Sequence, residues 1–188
     1  MNMVQPIRDK EKIEAIKKIL RATSLRNELL FVLGINTGLR ISDLLALQVG
    51  DVFQNNKAVV RIELRESKTG KLRYIALSKK TIRLIERYIH TERKIVASNT
   101  PLFLSQKGGA ISRQHAYDIL NKAARAVGIH ERIGTHSLRK TFGYFAYKNG
   151  VDLAMIQKLL NHASQTETLR YIGITQEQMD EVVLNLDL

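Results

Sequence analysis

His136 and Arg139 stand one helical step apart in the stretch Thr135-His136-Ser137-Leu138-Arg139-Lys140-Thr141-Phe142. On a helix that spacing puts both on one face, close enough to act on a single ligand atom. A proton-transfer group beside a planar guanidinium fork suits an anionic oxygen such as that of a phosphate. Phe142, Phe145 and Ala146 follow at the spacing that ties such a helix to a core. Arg40 offers a second fork. It comes just after Gly38, at the start of a short helix, where backbone N–H groups and the helix dipole also favour an anion. Asp43 lies one turn further on and is placed to brace that guanidinium. Taken singly, these are also what a solvated surface offers, since an exposed Arg–Asp pair is worth little.

Other reactive side chains sit at places where chains usually turn. Glu66-Ser67-Lys68-Thr69-Gly70-Lys71 reads as a hairpin tip with two lysines, either of which could reach into a groove or simply be solvated. Arg113 and His115 fall in the first turn of a helix that Ser112 would cap, as phosphate contacts or as plain surface residues. Lys140, next to Arg139, is a further DNA-binding candidate. His162 follows Asn161 at a helix end. Tyr171 sits between Leu169 and Ile172, where a tyrosine is usually a core residue with its hydroxyl at the surface.

Thirty Lys and Arg against eighteen Asp and Glu give 188 residues a net charge of +12. A surplus of that size attracts polyanions and favours nucleic acid as partner. The basic residues are spread along the chain, so a binding surface has to be assembled by the fold. The apolar fraction of 44% and charged fraction of 26% are those of a globular protein. No apolar run is long enough to span a bilayer, and no signal-peptide pattern opens the chain. Without cysteine there are no disulfides or thiolate metal sites, which fits a cytosolic protein.

The elements that must position these groups are mostly helical. Asp9 caps a helix to Ala22 with Ile13, Ile16, Ile19 and Leu20 on one side. Ser24 caps a second, apolar nearly all round and therefore central, which Gly38 ends. Leu44, Leu45 and Leu47 belong to a short third helix. After a turn at Asn55-Asn56, the alternating runs Ala58–Leu64 and Leu72–Leu77 predict two antiparallel strands around the lysine-bearing tip. Ser78 caps a helix with Ile82, Ile85 and Ile89 inward. Further helices are expected from Ser112 to Ala126, after Asp152 to Leu160, from Ser164 through Tyr171, and from Gln176 to Leu186. The last has an apolar stripe, Met179, Val182, Val183 and Leu186, suited to its own domain or to a neighbouring protomer. The expectation is one α+β domain over 1–188, mainly helical, with a small antiparallel sheet on one side.

In this order, Thr37-Gly38-Leu39-Arg40-Ile41-Ser42-Asp43-Leu44, Ser67-Lys68-Thr69-Gly70-Lys71, His136 to Phe142, Ile156-Gln157-Lys158-Leu159-Leu160-Asn161-His162 and Tyr171 resemble the catalytic domain of the tyrosine recombinases, the phage integrase family. The resemblance implies site-specific DNA recombination or integration, with Tyr171 as the nucleophile on a DNA phosphodiester and a 3′-phosphotyrosyl intermediate. It implies that Arg40 and Arg139 clamp the phosphate, that His136 is a general acid/base, and that His162 donates a hydrogen bond to the phosphate. Lys68 would protonate the leaving 5′ oxygen, with Lys71 its rival, and neighbouring arginines would depress its pKa. Cations around Tyr171 would lower its phenol below about 10. No metal or other cofactor is implied. The partner would be double-stranded DNA, on which the family assembles as a homo-oligomer, a tetramer in the synapse. The setting would be the cytoplasm, for a bacterial, phage or mobile-element protein.

Two spellings depart from the family pattern: Asn161 where Gly is usual, and Asp43 where Glu is commoner. Full-length members also carry a core-binding domain ahead of the catalytic one, whereas this sequence starts almost at the catalytic domain, as expected either of a piece cut from a longer protein or of a free-standing short member. Two other readings remain open at this level. One is a DNA-binding regulator without catalysis, with Leu153 to Tyr171 as helix, turn, helix. The other is a relaxing enzyme like the type IB topoisomerases.

Overall fold

The structure, a computed structural model, describes residues 4–94, 97–174, 180 and 183–186. Asp9 accepts hydrogen bonds from the backbone N–H groups of Glu11 and Lys12 and so starts helix α1 (Lys10–Thr23). Ser24 caps α2 (Leu25–Thr37), which is buried along most of its length and packs against α1 and against two helices later in the chain, α5 (Lys79–Tyr88) and α7 (Thr135–Lys148). Gly38 ends α2 with φ 62°, a left-handed turn that leads straight into Arg40 and α3 (Ile41–Ala46).

One turn of helix, α4 (Val49–Val52), precedes two separate two-stranded ladders. In the first, β1 (Phe53–Gln54) and β2 (Lys57–Ala58) join through Asn55 and Asn56, both at positive φ, as a tight hairpin turn requires. In the second, β3 (Arg61–Arg65) pairs with β4 (Leu72–Ala76), Arg61 opposite Ala76 and Arg65 opposite Leu72. The single strand expected over Ala58–Leu64 is thus broken at Val59 and Val60. Their β-branched side chains suit a strand, but the Val59 N–H donates to the Val52 carbonyl at 2.9 Å instead of to a neighbouring strand.

Helix α5 (Lys79–Tyr88) continues into a π-helical turn over Ile89–Arg93. Then come α6 (Arg113–Ala126), α7 (Thr135–Lys148), α8 (Leu153–Leu160) and α9 (Gln165–Ile172), capped by Ser112, Gly134, Asp152 and Ser164. Of the last expected helix, Gln176, Met179 and Val182 lie outside the described residues. Val183, Leu184 and Leu186 are helical and exposed.

Two apolar clusters organise these elements. The larger surrounds α2 and reaches Leu138 of α7. The smaller consists of Ile156, Leu160 and Ile172, with Phe142, Ala146 and Tyr171 packed against it. The anchoring of α7 therefore differs from the expected stripe. Phe142 and Ala146 serve the small cluster, Phe145 the large one, and the buried residues of the helix include Leu138, Thr141 and Tyr144. The small cluster seats α9, and with it Tyr171, on α7. Gly143 allows the close approach, because a Cβ there would lie 2.5 Å from Cγ2 of Ile172. The N-terminal segment closes the arrangement: the Ile7 N–H donates to Thr141 Oγ1 at 2.8 Å, and Arg8 Nη2 donates to the Gly173 carbonyl at 3.2 Å.

Candidate active site

Arg139 projects from α7 into the seam between the ends of α2 and α8 and is buried. Its Nη1 donates to the Gly38 carbonyl and its Nη2 to the Leu160 carbonyl. The left-handed turn at Gly38 and the left-handed Asn161 after Leu160 leave these helix-end carbonyls free to accept. Burial, first of all, pushes the Arg139 pKa down to about 10. Tyr171 pulls the other way, and the charges of Arg40 and Arg73 add to the fall. The group stays cationic at neutral pH.

Arg40 sits half-buried at the N-terminus of α3, and its Nη1 lies 2.7 Å from Oε2 of Glu66. Glu66 is buried at the base of the β3–β4 hairpin. It also accepts from Thr69 Oγ1 at 2.8 Å and from Arg73 Nη1 at 3.0 Å. Burial alone would raise its pKa, but the hydrogen bonds from Arg40, Thr69 and Arg73 outweigh that and hold the carboxyl down at about 2. The brace expected from Asp43 is thus supplied by Glu66. Asp43 instead accepts from the Ser67 N–H at 2.9 Å, which ties α3 to the hairpin, and its other oxygen is buried without a partner. An aspartate is short, and its helix directs it at the hairpin backbone.

His162 follows the left-handed Asn161 and is half-buried, its Nδ1 3.2 Å from Oγ1 of Thr168. Burial, and then the charges of Arg139 and Arg40, lower its pKa, while Glu167 pulls it up. The Tyr171 ring meets the His162 ring edge to face, centroids 4.8 Å apart. Lys140, itself buried, holds Nζ 5.0 Å from the centre of the same phenol ring. The Tyr171 hydroxyl is buried and makes no hydrogen bond of ordinary geometry. Its pKa lies above the usual value because burial outweighs the pull of Arg139 and Arg40. That reverses the expectation that surrounding cations lower it: the cations are there, but the small apolar cluster excludes the water that would solvate a phenolate.

His136 is on the exposed side of α7, and its ring makes no hydrogen bond among the described residues. Protein mass around the ring, then Arg113, Lys140 and Arg139, lower its pKa. The charge of Arg113 therefore acts on this histidine. His115 does not join the group and instead lines a separate cleft of about 600 Å³ with Arg26 and Lys107. Lys68 is exposed at the hairpin tip, whereas Lys71 reaches across to Asn161 Oδ1 at 3.3 Å. Lys140, expected among the DNA contacts, lies against the phenol ring. Among the described residues, no group of three or more His, Asp or Glu is placed to hold a metal ion. Nor is any helix there long and apolar enough to cross a membrane.

Two guanidinium groups, an imidazole, an ammonium and a phenol thus converge from α2–α3, α7, α8 and α9. The family model described as the phage integrase family matches residues 8–178. The chain belongs to the phage integrase family. It is 45% identical over 178 residues to the protein named "Probable integrase/recombinase YoeC" of Bacillus subtilis (strain 168), covering 94% of this chain and 93% of that one. It is 33% identical over 165 residues to the tyrosine recombinase XerD of Mycobacterium leprae (strain TN), covering 84% of this chain but 51% of XerD. Among solved structures, the XerH site-specific recombinase bound to palindromic difH substrate in a post-cleavage complex superposes with a TM-score of 0.77 at 23% identity. That match covers 100% of this chain and 55% of XerH.

Within this integrase-family domain, Glu66 and Thr168 are the site residues that motif reading passes over. Glu66 leaves only a faint trace in the sequence, one acid at the foot of an otherwise basic hairpin. Thr168 leaves none, since a threonine in a short helix usually bonds its own backbone.

Proposed function

We propose that this chain cleaves and rejoins DNA strands at specific sites through a 3′-phosphotyrosyl intermediate on Tyr171. The observation that carries this is the docking of Tyr171 in its own chain's cluster of cations, against His162 and beneath Lys140, with Arg139 and Arg40 acting on the phenol. The Tyr171 oxygen attacks phosphorus, the new P–O bond forms to the phenol, and the bond to the 5′ oxygen breaks. The phenolic proton passes to His136 or to water, and the 5′ oxygen takes a proton from a hairpin lysine. Resealing runs the same steps backwards, and the phosphotyrosyl bond conserves the energy of the broken strand.

Arg40 and Arg139 stabilise the charge of the five-coordinate transition state. An anionic phosphate beside the phenol disfavours a free phenolate further, so the proton leaves Tyr171 as the P–O bond forms and not before it. Lys68 and Lys71 compete for the acid role. Lys68 is exposed at the hairpin tip, while Lys71 already donates to Asn161, the residue that ends α8. Double-stranded DNA is the substrate, and a tetramer of such domains joins two sites.

A nicked suicide duplex, which lets the 5′ end diffuse away, tests this on a denaturing gel. Wild type gives a covalent adduct and Tyr171→Phe gives none while still binding DNA. Binding without an adduct in the wild type would favour a regulator instead. On this duplex and on a copy with sulfur in place of the 5′ bridging oxygen, whichever of Lys68→Ala and Lys71→Ala loses cleavage of the first and recovers it on the second, where the leaving group is a 5′ thiolate, identifies the acid.

A further inference from the structure

The Thr168 side chain is buried in α9. Its hydroxyl oxygen lies 2.9 Å from the Ser164 carbonyl oxygen and 3.2 Å from His162 Nδ1. A hydroxyl has one proton, and a carbonyl oxygen can only accept. If that proton pointed at Nδ1, two oxygens would face each other at 2.9 Å with nothing between them. If it lies on the bond to Ser164, both contacts are satisfied, provided that Nδ1 carries a hydrogen and donates it to Thr168.

We propose that Thr168 is a positioning residue that fixes His162 as the Nδ1–H tautomer, so that Nε2 faces a ligand as a bare acceptor and donates to a phosphate only after the ring takes up a proton. The coupling to phosphate rests on His162 being a phosphate contact, as read above; the tautomer does not.

Phosphodiester oxygens only accept, so a neutral His162 of this tautomer opposes them with a lone pair. The surroundings keep the free ring neutral. Burial disfavours its charge first of all, Glu167 on α9 is the acid that favours it, and Arg139 from α7 and Arg40 from the start of α3 disfavour it further. Tyr171 meets the ring uncharged, Lys71 bonds the neighbouring Asn161, and Lys140 lies over the phenol. An anion placed between the two arginines reverses that balance, and a proton from solvent then enters Nε2. Engagement of the phosphate is therefore linked to proton uptake and weakens as pH rises above the ring's free midpoint.

Nitrogen-15 spectra of the histidine-labelled full chain test the tautomer directly. Wild type at pH 8 should show His162 with a protonated Nδ1 and a bare Nε2. Thr168→Ser should keep that pattern and Thr168→Val should lose it. A wild-type ring protonated at Nε2 overturns the proposal, whatever the fate of the valine variant. Sulfate, which accepts hydrogen bonds and does not titrate in this range, tests the coupling. Its addition should raise the His162 midpoint by about one pH unit, a tenfold preference for the charged ring. A midpoint that does not move sinks the coupling. Unaltered adduct formation by His162→Gln would instead overturn the phosphate-contact reading and leave the tautomer standing.

Discussion

His162 and Tyr171 meet edge to face with ring centroids 4.8 Å apart, one at the end of α8 and the other in the last turn of α9. A two-helix unit that packs on α7 through the small cluster of Ile156, Leu160 and Ile172 thus carries both the imidazole and the phenol. The position of Tyr171 is therefore a packing property of α7, α8 and α9, and it can be disturbed without touching a reactive group.

Gly143 is the place to disturb it. A Cβ at that position would lie 2.5 Å from Ile172 Cγ2 and 3.1 Å from Leu160 Cδ1. Gly143→Ala should therefore destabilise the fold by about 1–3 kcal/mol through overpacking and lift α9 from α7. Adduct formation on the suicide duplex should fall at least tenfold, while DNA affinity in a gel-shift assay stays within about twofold. An unchanged rate of adduct formation would show that Tyr171 finds its place independently of this seat.

Glu66 should give the chain an acid-labile joint. Its carboxyl falls from an ordinary 4.5 to about 2 because the bonds from Arg40, Thr69 and Arg73 outweigh burial. A folded-state pKa below the unfolded one means a stabilisation that is complete above about 4.5 and lost as pH falls towards 2. Its size is on the order of 3 kcal/mol for so large a depression. Urea titrations across that window should show this loss in the wild type and a much flatter profile in Glu66→Gln. Equal slopes would mean that other carboxylates dominate. The same variant should lower the rate of adduct formation at neutral pH, because Arg40 loses the partner that orients it.

The contrast between Glu66 and the helix caps shows what kind of information a sequence carries. Asp9, Ser24, Ser78, Ser112, Asp152 and Ser164 cap where expected because a cap is settled by bonds to N–H groups within a few residues. The family motifs were legible because Arg40, Arg139, His162 and Tyr171 combine residue type with order along the chain. What joins distant segments was not. The Arg40–Glu66 pair, the Lys140–Tyr171 stack and the break after Ala58 each depend on a partner that no local pattern names. The direction of the Tyr171 shift is hidden for the same reason, since the charges near it can be counted along the chain but the apolar cluster burying it exists only after folding.

Lys140 should act on the nucleophile and not on DNA. It is buried, with Nζ over the phenol ring, where its charge stabilises a forming phenolate. A cation–π contact of this kind is worth about 0.5–2 kcal/mol, so Lys140→Met should slow cleavage about 2- to 30-fold at neutral pH. The loss should shrink as pH rises towards the phenol's own midpoint. Measured with Tyr171→Phe in both chains, DNA affinity and its salt dependence should not change. A salt slope reduced by about one would instead make Lys140 a phosphate contact.

Arg139 holds two jobs at once, and a lysine in its place should separate them. Its guanidinium donates to the Gly38 and Leu160 carbonyls while its charge reaches Tyr171. A lysine ammonium keeps the charge but cannot span two carbonyls in the plane that the fork provides. Arg139→Lys should therefore leave at least one buried helix-end acceptor unmet and destabilise the chain by about 2–4 kcal/mol in urea titrations. Gly38 opens the turn to Arg40 and Leu160 precedes Asn161 and His162, so the loosened seam displaces both groups together. Adduct formation should drop by more than 100-fold at a temperature where the variant is still folded, a loss that lowered stability cannot explain. A variant that keeps wild-type stability would show that the two carbonyls find other donors, and would leave the charge as the only role for this residue.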